Sequence, residues 1–372
     1  MGTKRFYCLN PRKKKKRLIT DLFGQIGDIH WLNIGGLSFK YYPETKKRAI
    51  KAMFQSKSVP QTKLGKKVKT GFLCLQYNYF RVKLEISNFD AAIVWNGING
   101  TRYVFSAAAK DCGLPTLHCE LSPFKQTITV DPEGVNYSNC LPRDIKPYET
   151  WYNKISDSDI VGRTKTTIVA RQPGKKCNEV QGNLTLEQSY IFVPLQVPGD
   201  SQLRVFGGYF KTVEKLIETL INEAHLLPSG WHIRLKEHPN SQQQFERLYK
   251  EFCPANVIFD NITDTFEQVK KSKAVFTVNS SVGLEAMFYE KPVVAMGFAF
   301  WAFGNLAKTC RTLVELKRVL KNPDNLHFSK SERVVFLSFL LRDYYVDTEE
   351  STKQILQRLN GSKTFLLKSG LI

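Results

Sequence analysis

Short apolar runs alternate with amphipathic patterns along most of the chain. In the N-terminal half the apolar runs predict buried strands at residues 6–9, 28–34, 91–95 and 117–121. In the C-terminal half they predict strands at residues 189–194, 231–235, 256–259, 274–278 and 292–296. Apolar positions at helical spacing predict helices at 106–112, 212–224, 242–252, 265–271, 283–289, 313–320, 332–345 and 352–359. This alternation is typical of βαβ units and parallel sheets.

Residues 122–182 lack such periodicity and are rich in Pro, Asp and Asn, so we expect long loops and the crossing between two domains there. The predicted fold class is α/β and GT-B-like, with two Rossmann-like domains facing across a cleft. The N-terminal domain is expected at 1–180 and the C-terminal domain at 181–345. A final helix within 346–372 is expected to pack back on the N-terminal domain.

The composition and the cysteine pattern indicate in which compartment the protein works. The chain has 372 residues, and no apolar run approaches the roughly 18 residues that span a bilayer. The N-terminus shows no secretory signal. The eight cysteines are scattered without a CxxC pair, which favours reduced, packing cysteines and a cytoplasmic protein.

The positive charge is concentrated in the first 83 residues, which hold twenty Lys and Arg against three acidic residues. Such asymmetry favours an anionic partner: nucleic acid, anionic lipid or an acidic glycan. A solvated basic face is the alternative for the run Arg12–Arg17 alone. Because a lipid surface attracts each nearby Lys or Arg by about 1 kcal/mol, a dozen of them could hold a soluble protein at a membrane.

Two turns of the C-terminal half carry groups that suit a phosphate. Asn279-Ser280-Ser281 follows a predicted strand and opens a helix, whose free N–H groups bind anions. His238-Pro239 ends the strand at 231–235, at the edge where α/β sheets bind ligands. Each turn also has a plain structural interpretation, an N-cap for Ser280 and turn chemistry for His-Pro. Because both turns end strands of one sheet, together they predict a phosphate site.

Two carboxylates are candidates for chemistry on a sugar. Asp200 follows a Pro-Gly turn after the strand at 189–194, and Glu120 lies near the end of the strand at 117–121. Carboxylates on opposite walls of a cleft suit nucleophilic and acid–base work at an anomeric carbon. The alternative interpretation is a β-turn with Asp200 solvated or capping the next segment. Asp157-Ser158-Asp159 has the spacing of a metal-binding Asp-x-Asp but no adjacent strand, so no metal site is predicted.

These segments resemble the bacterial capsule polysaccharide biosynthesis family, whose studied members are retaining β-Kdo transferases that use CMP-Kdo. The resemblance covers about residues 90–300 and rests on Leu195-Gln196-Val197-Pro198-Gly199-Asp200-Ser201, Lys236-Glu237-His238-Pro239, Val278-Asn279-Ser280-Ser281-Val282-Gly283, Lys291-Pro292-Val293, Gly113-Leu114-Pro115 with Glu120, Asp131-Pro132-Glu133-Gly134-Val135-Asn136 and Asn139-Cys140-Leu141-Pro142-Arg143. One departure is Cys140, where a small hydroxyl residue is expected.

The resemblance implies that CMP is held by the C-terminal domain. Nucleotide-sugar contacts are expected at Gln196, Lys236, His238, Pro239, Asn279, Ser280 and Ser281. Asp200 occupies the position of the nucleophile in a double-displacement mechanism, and Glu120 that of the residue that activates the acceptor hydroxyl. No metal or other cofactor is expected, because the helix terminus and cationic side chains stabilise the leaving CMP.

The segment 131–143 looks closest to capsule enzymes that place Kdo on a lysophosphatidylglycerol terminus, and it implies sugar or acceptor contacts at Asn136 and Arg143. An amphiphilic acceptor would explain the basic N-terminal half, through peripheral binding at the inner face of the bacterial inner membrane, where other capsule assembly proteins are potential partners. Two alternatives remain: a transferase for another CMP-activated acid sugar, such as sialic acid, on a glycan acceptor, and a basic nucleic-acid-binding protein.

Overall fold

The chain divides into two compact units. A computed structural model describes residues 3–86, 88–155, 160–165, 185–348 and 352–372. Unit 1 comprises Met1–Pro142 together with Phe339–Ile372, and unit 2 comprises Arg143–Ser338. These divisions lie at 142 and 338, whereas the sequence pattern suggested 180 and 345.

The strands of the described residues are, in chain order, β1 (Lys4–Leu9), β2 (Gly27–Leu32), β3 (Ala91–Trp95), β4 (Thr116–Leu121), β5 (Thr127–Asp131), β6 (Ser189–Pro194), β7 (Trp231–Lys236), β8 (Val257–Phe259), β9 (Ala274–Thr277), β10 (Val293–Ala295), β11 (Lys308–Thr309) and β12 (Tyr345–Asp347). The α-helices are α1 (Lys13–Phe23), α2 (Thr45–Gln55), α3 (Lys63–Glu85), α4 (Gly100–Asp111), α5 (Lys146–Tyr152), α6 (Ile160–Lys165), α7 (Ser201–Phe206), α8 (Val213–Glu223), α9 (Phe245–Tyr249), α10 (Thr265–Lys271), α11 (Ser281–Met287), α12 (Leu313–Lys321), α13 (Lys330–Phe339), α14 (Thr352–Leu359) and α15 (Gly361–Lys368).

The sheet of unit 1 has the order β12-β5-β4-β3-β1-β2. Its strands β1 to β4 are parallel, whereas β5 and β12 close one side with antiparallel pairing. The chain passes from β1 to β2 on one side and then crosses to β3 on the other. The strand order therefore reverses between β1 and β3, which is where open α/β sheets form a ligand crevice at the carboxyl ends of the strands.

The all-apolar strand β3 explains how this sheet is covered on both faces. Successive side chains of a strand point to opposite faces. Ala92 and Val94 pack in the cluster that contains the buried residues of α2, α3 and α4. Ala91, Ile93 and Trp95 pack in the cluster that contains buried residues of α1 and α14.

The sheet of unit 2 is parallel throughout and has the order β11-β10-β9-β6-β7-β8. Renumbered from β6, this is the 3-2-1-4-5-6 order of a Rossmann fold, with its reversal between β6 and β9. The core joins strand residues such as Ile191, Ile233 and Phe276 to the apolar stripe of α8, Leu216, Ile217 and Leu220. The prediction of two Rossmann-like domains is confirmed.

Several predicted elements occur with the predicted bounds, among them β3, β6, α10 and α14. The prediction that residues 122–182 are loops was wrong in part, because β5 and α5 lie there. The helix predicted at 332–345 ends at Phe339, continues as a π-helical turn over Leu340–Tyr344 and then enters β12. The helix predicted at 242–252 is reduced to α9 and a 3₁₀ turn, Lys250–Phe252. None of the helices in the described ranges is long and apolar enough to cross a membrane.

Candidate functional site

The loops after β6 and β9 flank the point where the strand order of unit 2 reverses. Gln196 follows β6 and Asn279 follows β9, and their side-chain amides bond to each other, Nε2 of Gln196 donating to Oδ1 of Asn279 at 3.0 Å. The backbone N–H of Asn279 donates to Oε1 of Gln196 at 3.3 Å, and Nδ2 of Asn279 donates to the Gln202 carbonyl at 3.0 Å. These two predicted site residues therefore hold the loops in register across the reversal point.

The Pro-Gly turn before Asp200 forms as predicted. The Asp200 N–H donates to the Val197 carbonyl at 3.1 Å, and Gly199 has a φ of 74°, which a type II turn requires at this position. Oδ1 of Asp200 then accepts from the Gln202 N–H at 2.9 Å and caps α7. The capping role is therefore present, and the partly exposed carboxylate is fixed at the carboxyl edge of the sheet.

A cavity opens beside this edge, with about 550 Å³ of space that includes its open mouth. Both predicted phosphate turns line it. Its walls come from the ends of β6 and β7, the start of α10 and the turn into α11: Pro194, Leu195, Lys236, Glu237, His238, Pro239, Thr265, Phe266, Ser280, Val282 and Glu285. The structure thus brings the His-Pro turn and the Ser280 turn together within unit 2.

The hydrogen bonding of His238 fixes its tautomer. The Asn240 backbone N–H donates to Nδ1 of His238 at 3.0 Å. Because a backbone N–H can only donate, Nδ1 must be the unprotonated nitrogen, and the neutral ring carries its proton on Nε2. His238 therefore presents a hydrogen-bond donor on the ring edge away from Asn240, which suits an anionic oxygen.

Lys236 and Glu237 build the wall of the cavity. Nζ of Lys236 donates to the carbonyls of Asn261 and Thr263, at 3.0 and 2.7 Å. Oε1 of Glu237 accepts the Glu246 N–H at 2.7 Å, and burial raises the pKa of the Glu237 carboxyl. Lys236 thus brings positive charge to the cavity while its ammonium group secures the neighbouring loop.

Ser280 is the N-cap of α11, as its structural interpretation predicted. Its hydroxyl accepts the Val282 N–H at 3.3 Å, and its own N–H donates to Oγ1 of Thr277 at 3.2 Å. Ser281 is the first residue of the helix. Ser280 and Val282 both line the cavity, so capping and ligand contact at this turn are compatible.

In unit 1, Glu120 is oriented by Asn96, which follows β3 at the reversal point of that sheet. Nδ2 of Asn96 donates to Oε2 of Glu120 at 2.8 Å, and the Asn96 N–H donates to the Cys119 carbonyl at 2.8 Å. Oδ1 of Asn96 accepts the Ile98 N–H at 3.1 Å. Every side-chain polar group of Asn96 therefore serves to fix the loop and the carboxylate.

Two cations, Lys15 and Arg102, lie close enough to Glu120 to interact with it, and Arg12 lies close to both cations. Nζ of Lys15 lies 4.4 Å from the centroid of the Trp95 ring. Burial lowers the pKa of Lys15 and of Arg102. The nearby Glu120 carboxylate raises both pKa values, and the positive charge of Arg12 lowers both. Two partly buried cations thus lie near one carboxylate, with the charge of Arg12 close to both, and a further anion would be stabilised there.

The segment 131–143 is organised by a buried carboxylate. Asp131 accepts the N–H groups of Glu133, Gly134 and Cys140 at 2.8 to 3.3 Å, and the Tyr344 hydroxyl donates to its Oδ2 at 3.1 Å. The Cys140 thiol also bonds to Asp131, and burial raises the pKa of this thiol. A thiol donor therefore takes the place of the expected hydroxyl at position 140.

The two acceptor contacts expected from this segment fall in different units. Asn136 begins a 3₁₀ turn, Asn136–Ser138, with a φ of 55° that asparagine tolerates better than most residues. Arg143 is partly exposed and is the first residue of unit 2. Their expected role remains a prediction.

Sequence reasoning missed Asn96, Lys15 and Arg102. The available signal was Asn96-Gly97 directly after a strand and before a helix, since that dipeptide favours positive φ. Asn96 and Gly97 have φ of 67° and 76°. The positions of Lys15 and Arg102 depend on how α1 and α4 leave the sheet, which no local pattern reveals.

Within the described ranges, no group of three or more His, Cys, Asp or Glu side chains is placed to hold a metal ion. Asp157-Ser158-Asp159 lies outside the described residues. The expectation of a reaction without metal stays a prediction.

Comparison with known proteins shows what the chain is similar to. Residues 174–338 match the family model described as capsule polysaccharide biosynthesis protein. The match covers less than half of the chain and shows a resemblance of this part to that family. Among curated relatives, Protein FixF of Sinorhizobium fredii is 28% identical over 271 residues, 71% of this chain and 63% of FixF. The capsule polysaccharide export protein KpsS of Escherichia coli is 28% identical over 123 residues, 31% of this chain and 32% of KpsS. The chain thus spans less than two thirds of the length of each.

Two solved structures share the fold. Thermosulfurimonas dismutans KpsC, β-Kdo 2,4 transferase, matches with a TM-score of 0.52 and 13% identity, over 95% of this chain and 98% of that one. The KpsC β-Kdo 2,7 transferase of the same organism matches with a TM-score of 0.50 and 15% identity, over 95% and 99%. This likeness supports the GT-B-like class, since both matches extend over both units.

Proposed function

We propose that this chain is a capsule glycosyltransferase that moves Kdo from CMP-Kdo to an anionic acceptor. The observation that carries the proposal is the unit 2 cavity, where His238, Lys236 and Ser280 line one space at the carboxyl edge of a Rossmann sheet. That cavity lies within the residues that match the capsule family. The family resemblance supplies the identity of the sugar.

In this proposal the cavity holds the CMP phosphate. Nε2–H of His238 and the hydroxyl of Ser280 donate to phosphate oxygens, and the charge of Lys236 stabilises the CMP that leaves. Pro239, Ser281, Gln196 and Asn279 keep these groups in place. No metal or other cofactor is required, so addition of EDTA is expected to leave turnover unchanged.

The chemistry follows a double displacement. The Asp200 carboxylate attacks the anomeric carbon as the bond to CMP breaks, and a glycosyl-enzyme ester forms. Glu120 then removes the proton of the acceptor hydroxyl, whose oxygen attacks the same carbon and releases Asp200. Two inversions retain the anomeric configuration.

The acceptor is assigned to unit 1. The partly buried cations Lys15 and Arg102 near Glu120, with the exposed Arg12 close to both of them, suit an acceptor with a phosphate or carboxylate near its reactive hydroxyl. A lysophosphatidylglycerol-like lipid and a Kdo-primed glycan both have that chemistry. We place the enzyme at the cytoplasmic face of the bacterial inner membrane.

The test compares the wild type with Asp200→Asn. Asparagine caps a helix about as well as aspartate, so α7 should remain capped and the melting temperature unchanged. A carboxamide cannot form the ester, so CMP release from CMP-Kdo should fall on the order of 10³-fold or more. Mass spectrometry of the wild type with donor alone should show one added Kdo on Asp200.

Three results would reject parts of this proposal. Turnover of the Asp200→Asn variant within twofold of the wild type would remove Asp200 as the nucleophile. Turnover of UDP-sugars without CMP-sugars would remove the donor assignment. Faster turnover of CMP-sialic acid than of CMP-Kdo would favour the alternative acid sugar.

A further inference from the structure

Exposed apolar side chains are concentrated in one part of unit 1. Half of the exposed large hydrophobic residues in the described part of the chain lie between residues 34 and 72. Phe39 is 89% exposed, Leu64 72% and Val68 65%. Single exposed apolar residues are ordinary, but a dense group of them marks a surface that binds something.

Helix α3 carries the centre of this group on its outer face. Leu64, Val68 and Phe72 recur every four residues and form one exposed stripe, whereas Leu73 and Tyr77 on the opposite side are buried in the core. Lys63 and Lys67 flank the stripe and are also exposed. The helix is therefore apolar on two faces, and the core accounts for only one of them.

The loop after β2 extends the stripe. Nε2 of Gln76 donates to the Ile34 carbonyl at 2.8 Å, and the Ser38 N–H donates to the Leu75 carbonyl at 3.0 Å. These bonds hold the loop along α3, one turn after Phe72. The loop contributes three more exposed apolar side chains, Ile34, Leu37 and Phe39. We call these three together with Leu64, Val68 and Phe72 the α3 apolar surface.

The charged residues around this surface indicate which kind of partner it binds. Residues 34–72 contain nine lysines and one arginine, with Glu44 as the one acidic residue. Lysines at the border of an apolar face keep their ammonium groups among polar headgroups while their stems cover apolar surface. Apolar side chains ringed by lysines are the composition of segments that lie in the interface of an anionic bilayer.

We propose that the α3 apolar surface inserts into the headgroup layer of an anionic membrane. The inference rests on the proposed function only in that a lipid acceptor would be presented there. The inference goes beyond attraction by charge. Basic residues alone would hold the protein outside the headgroups, whereas the α3 apolar surface enters them. Nucleic acid would use the lysines but would leave Leu64 and Val68 of the apolar stripe without a role.

The test is co-sedimentation with vesicles of phosphatidylcholine, with and without one third phosphatidylglycerol. The wild type should bind the anionic vesicles, and part of the binding should survive 0.5 M salt because apolar insertion is not screened. A Leu64→Ser/Val68→Ser/Phe72→Ser variant should bind at least tenfold more weakly. As a matched control, Leu248→Ser/Phe252→Ser removes two exposed apolar side chains, 52% and 69% exposed, from unit 2 and should bind like the wild type.

Three outcomes would overturn the inference: unchanged binding by the triple serine variant, complete loss of wild-type binding in salt, or conversion of a wild-type dimer to a monomer by the triple variant. The last would make the surface an interface between copies of the chain. Asp200→Asn should bind vesicles like the wild type. An enzyme that binds vesicles but transfers no sugar would therefore refute the proposed function and leave the surface in place.

Discussion

Asn96 donates its side-chain amide to Oε2 of Glu120 over 2.8 Å, from a backbone conformation with a φ of 67°. The bond orients the carboxylate that we assign as the acceptor base. We expect Glu120→Gln, which cannot take a proton, to lower turnover about 10²- to 10⁴-fold. The measurement is CMP release with acceptor present.

A second variant separates orientation from folding. Asn96→Gly keeps the positive φ without strain but removes the bonds to Glu120 and to the Ile98 N–H, so we expect about tenfold lower turnover and a small decrease of the melting temperature. Full activity in Asn96→Gly would show that Glu120 needs no orientation, and full activity in Glu120→Gln would remove it from the chemistry.

The tautomer of His238 leads to a prediction about CMP affinity. His238→Ala removes a donor to a charged oxygen, which costs about 1.5–3 kcal/mol, or roughly 10- to 100-fold in the dissociation constant of CMP. His238→Gln keeps an N–H at a similar reach and should recover part of that loss. Calorimetric titration with CMP measures both, and His225→Ala, on the surface of unit 2, is the control. Equal affinity in His238→Ala and the wild type would contradict the phosphate contact.

Gly283 allows Trp301 to pack against α11. A Cβ at this position would lie 2.4 and 2.6 Å from carbons of the Trp301 ring and 2.9 Å from Cγ2 of Thr277. Gly283→Ala should therefore destabilise unit 2 by about 1–3 kcal/mol and, by shifting the helix that begins after Ser280, weaken CMP binding.

The control is Gly71→Ala on α3, where no atom lies within 4 Å of the added Cβ. It should stabilise the chain by about 0.5–1 kcal/mol. Denaturant titration gives both free energies of unfolding. A Gly283→Ala variant as stable as the wild type would mean that the Trp301 ring moves away at no cost.

Two buried histidines predict how stability depends on pH. Burial lowers the pKa of His118 to about 3 and that of His232 to about 4, below the ordinary 6.5. The unfolded chain therefore takes up protons first as the pH falls, so stability is full above about pH 6.5 and declines below it, by about 1.4 kcal/mol per pH unit for each histidine. His118→Asn should remove the contribution of this histidine to the decline of stability with falling pH. Urea titrations at pH 7.5, 6 and 5 test this, and the same decline in the variant would contradict it.

Local pattern sufficed for most of unit 2 because strands such as β6 and β9 are apolar runs and helices begin at strong caps, such as Asp264 and Thr312. The two phosphate turns could be placed in one cavity beforehand because parallel strands end at the same edge. Asp200 and Ser280 were each assigned a structural and a functional interpretation, and the capping bonds show the structural one to be present in both.

Local sequence pattern did not predict the structure where it depends on residues that are distant in the sequence. The run Arg12–Arg17 forms the first turns of α1, and the apolar positions that hold it, Ile19, Leu22 and Phe23, come only later in the helix. Strand β12 has three residues and pairs with a strand more than two hundred positions earlier. The bonds of Gln196 to Asn279 and of Asn96 to Glu120 likewise depend on sheet topology.

Unit 1 is assembled from both ends of the chain, and this sets an order of events during synthesis. The edge of β5 is covered only when β12 pairs with it, and Asp131 gains its bond from Tyr344 only then. Arg358 follows, donating to the Tyr344 carbonyl at 2.6 Å. During synthesis, residues 143–338 can form their own core before β12, the last strand of the unit 1 sheet, has been made. A chain released too early would therefore lose unit 1, although most of that unit was made first.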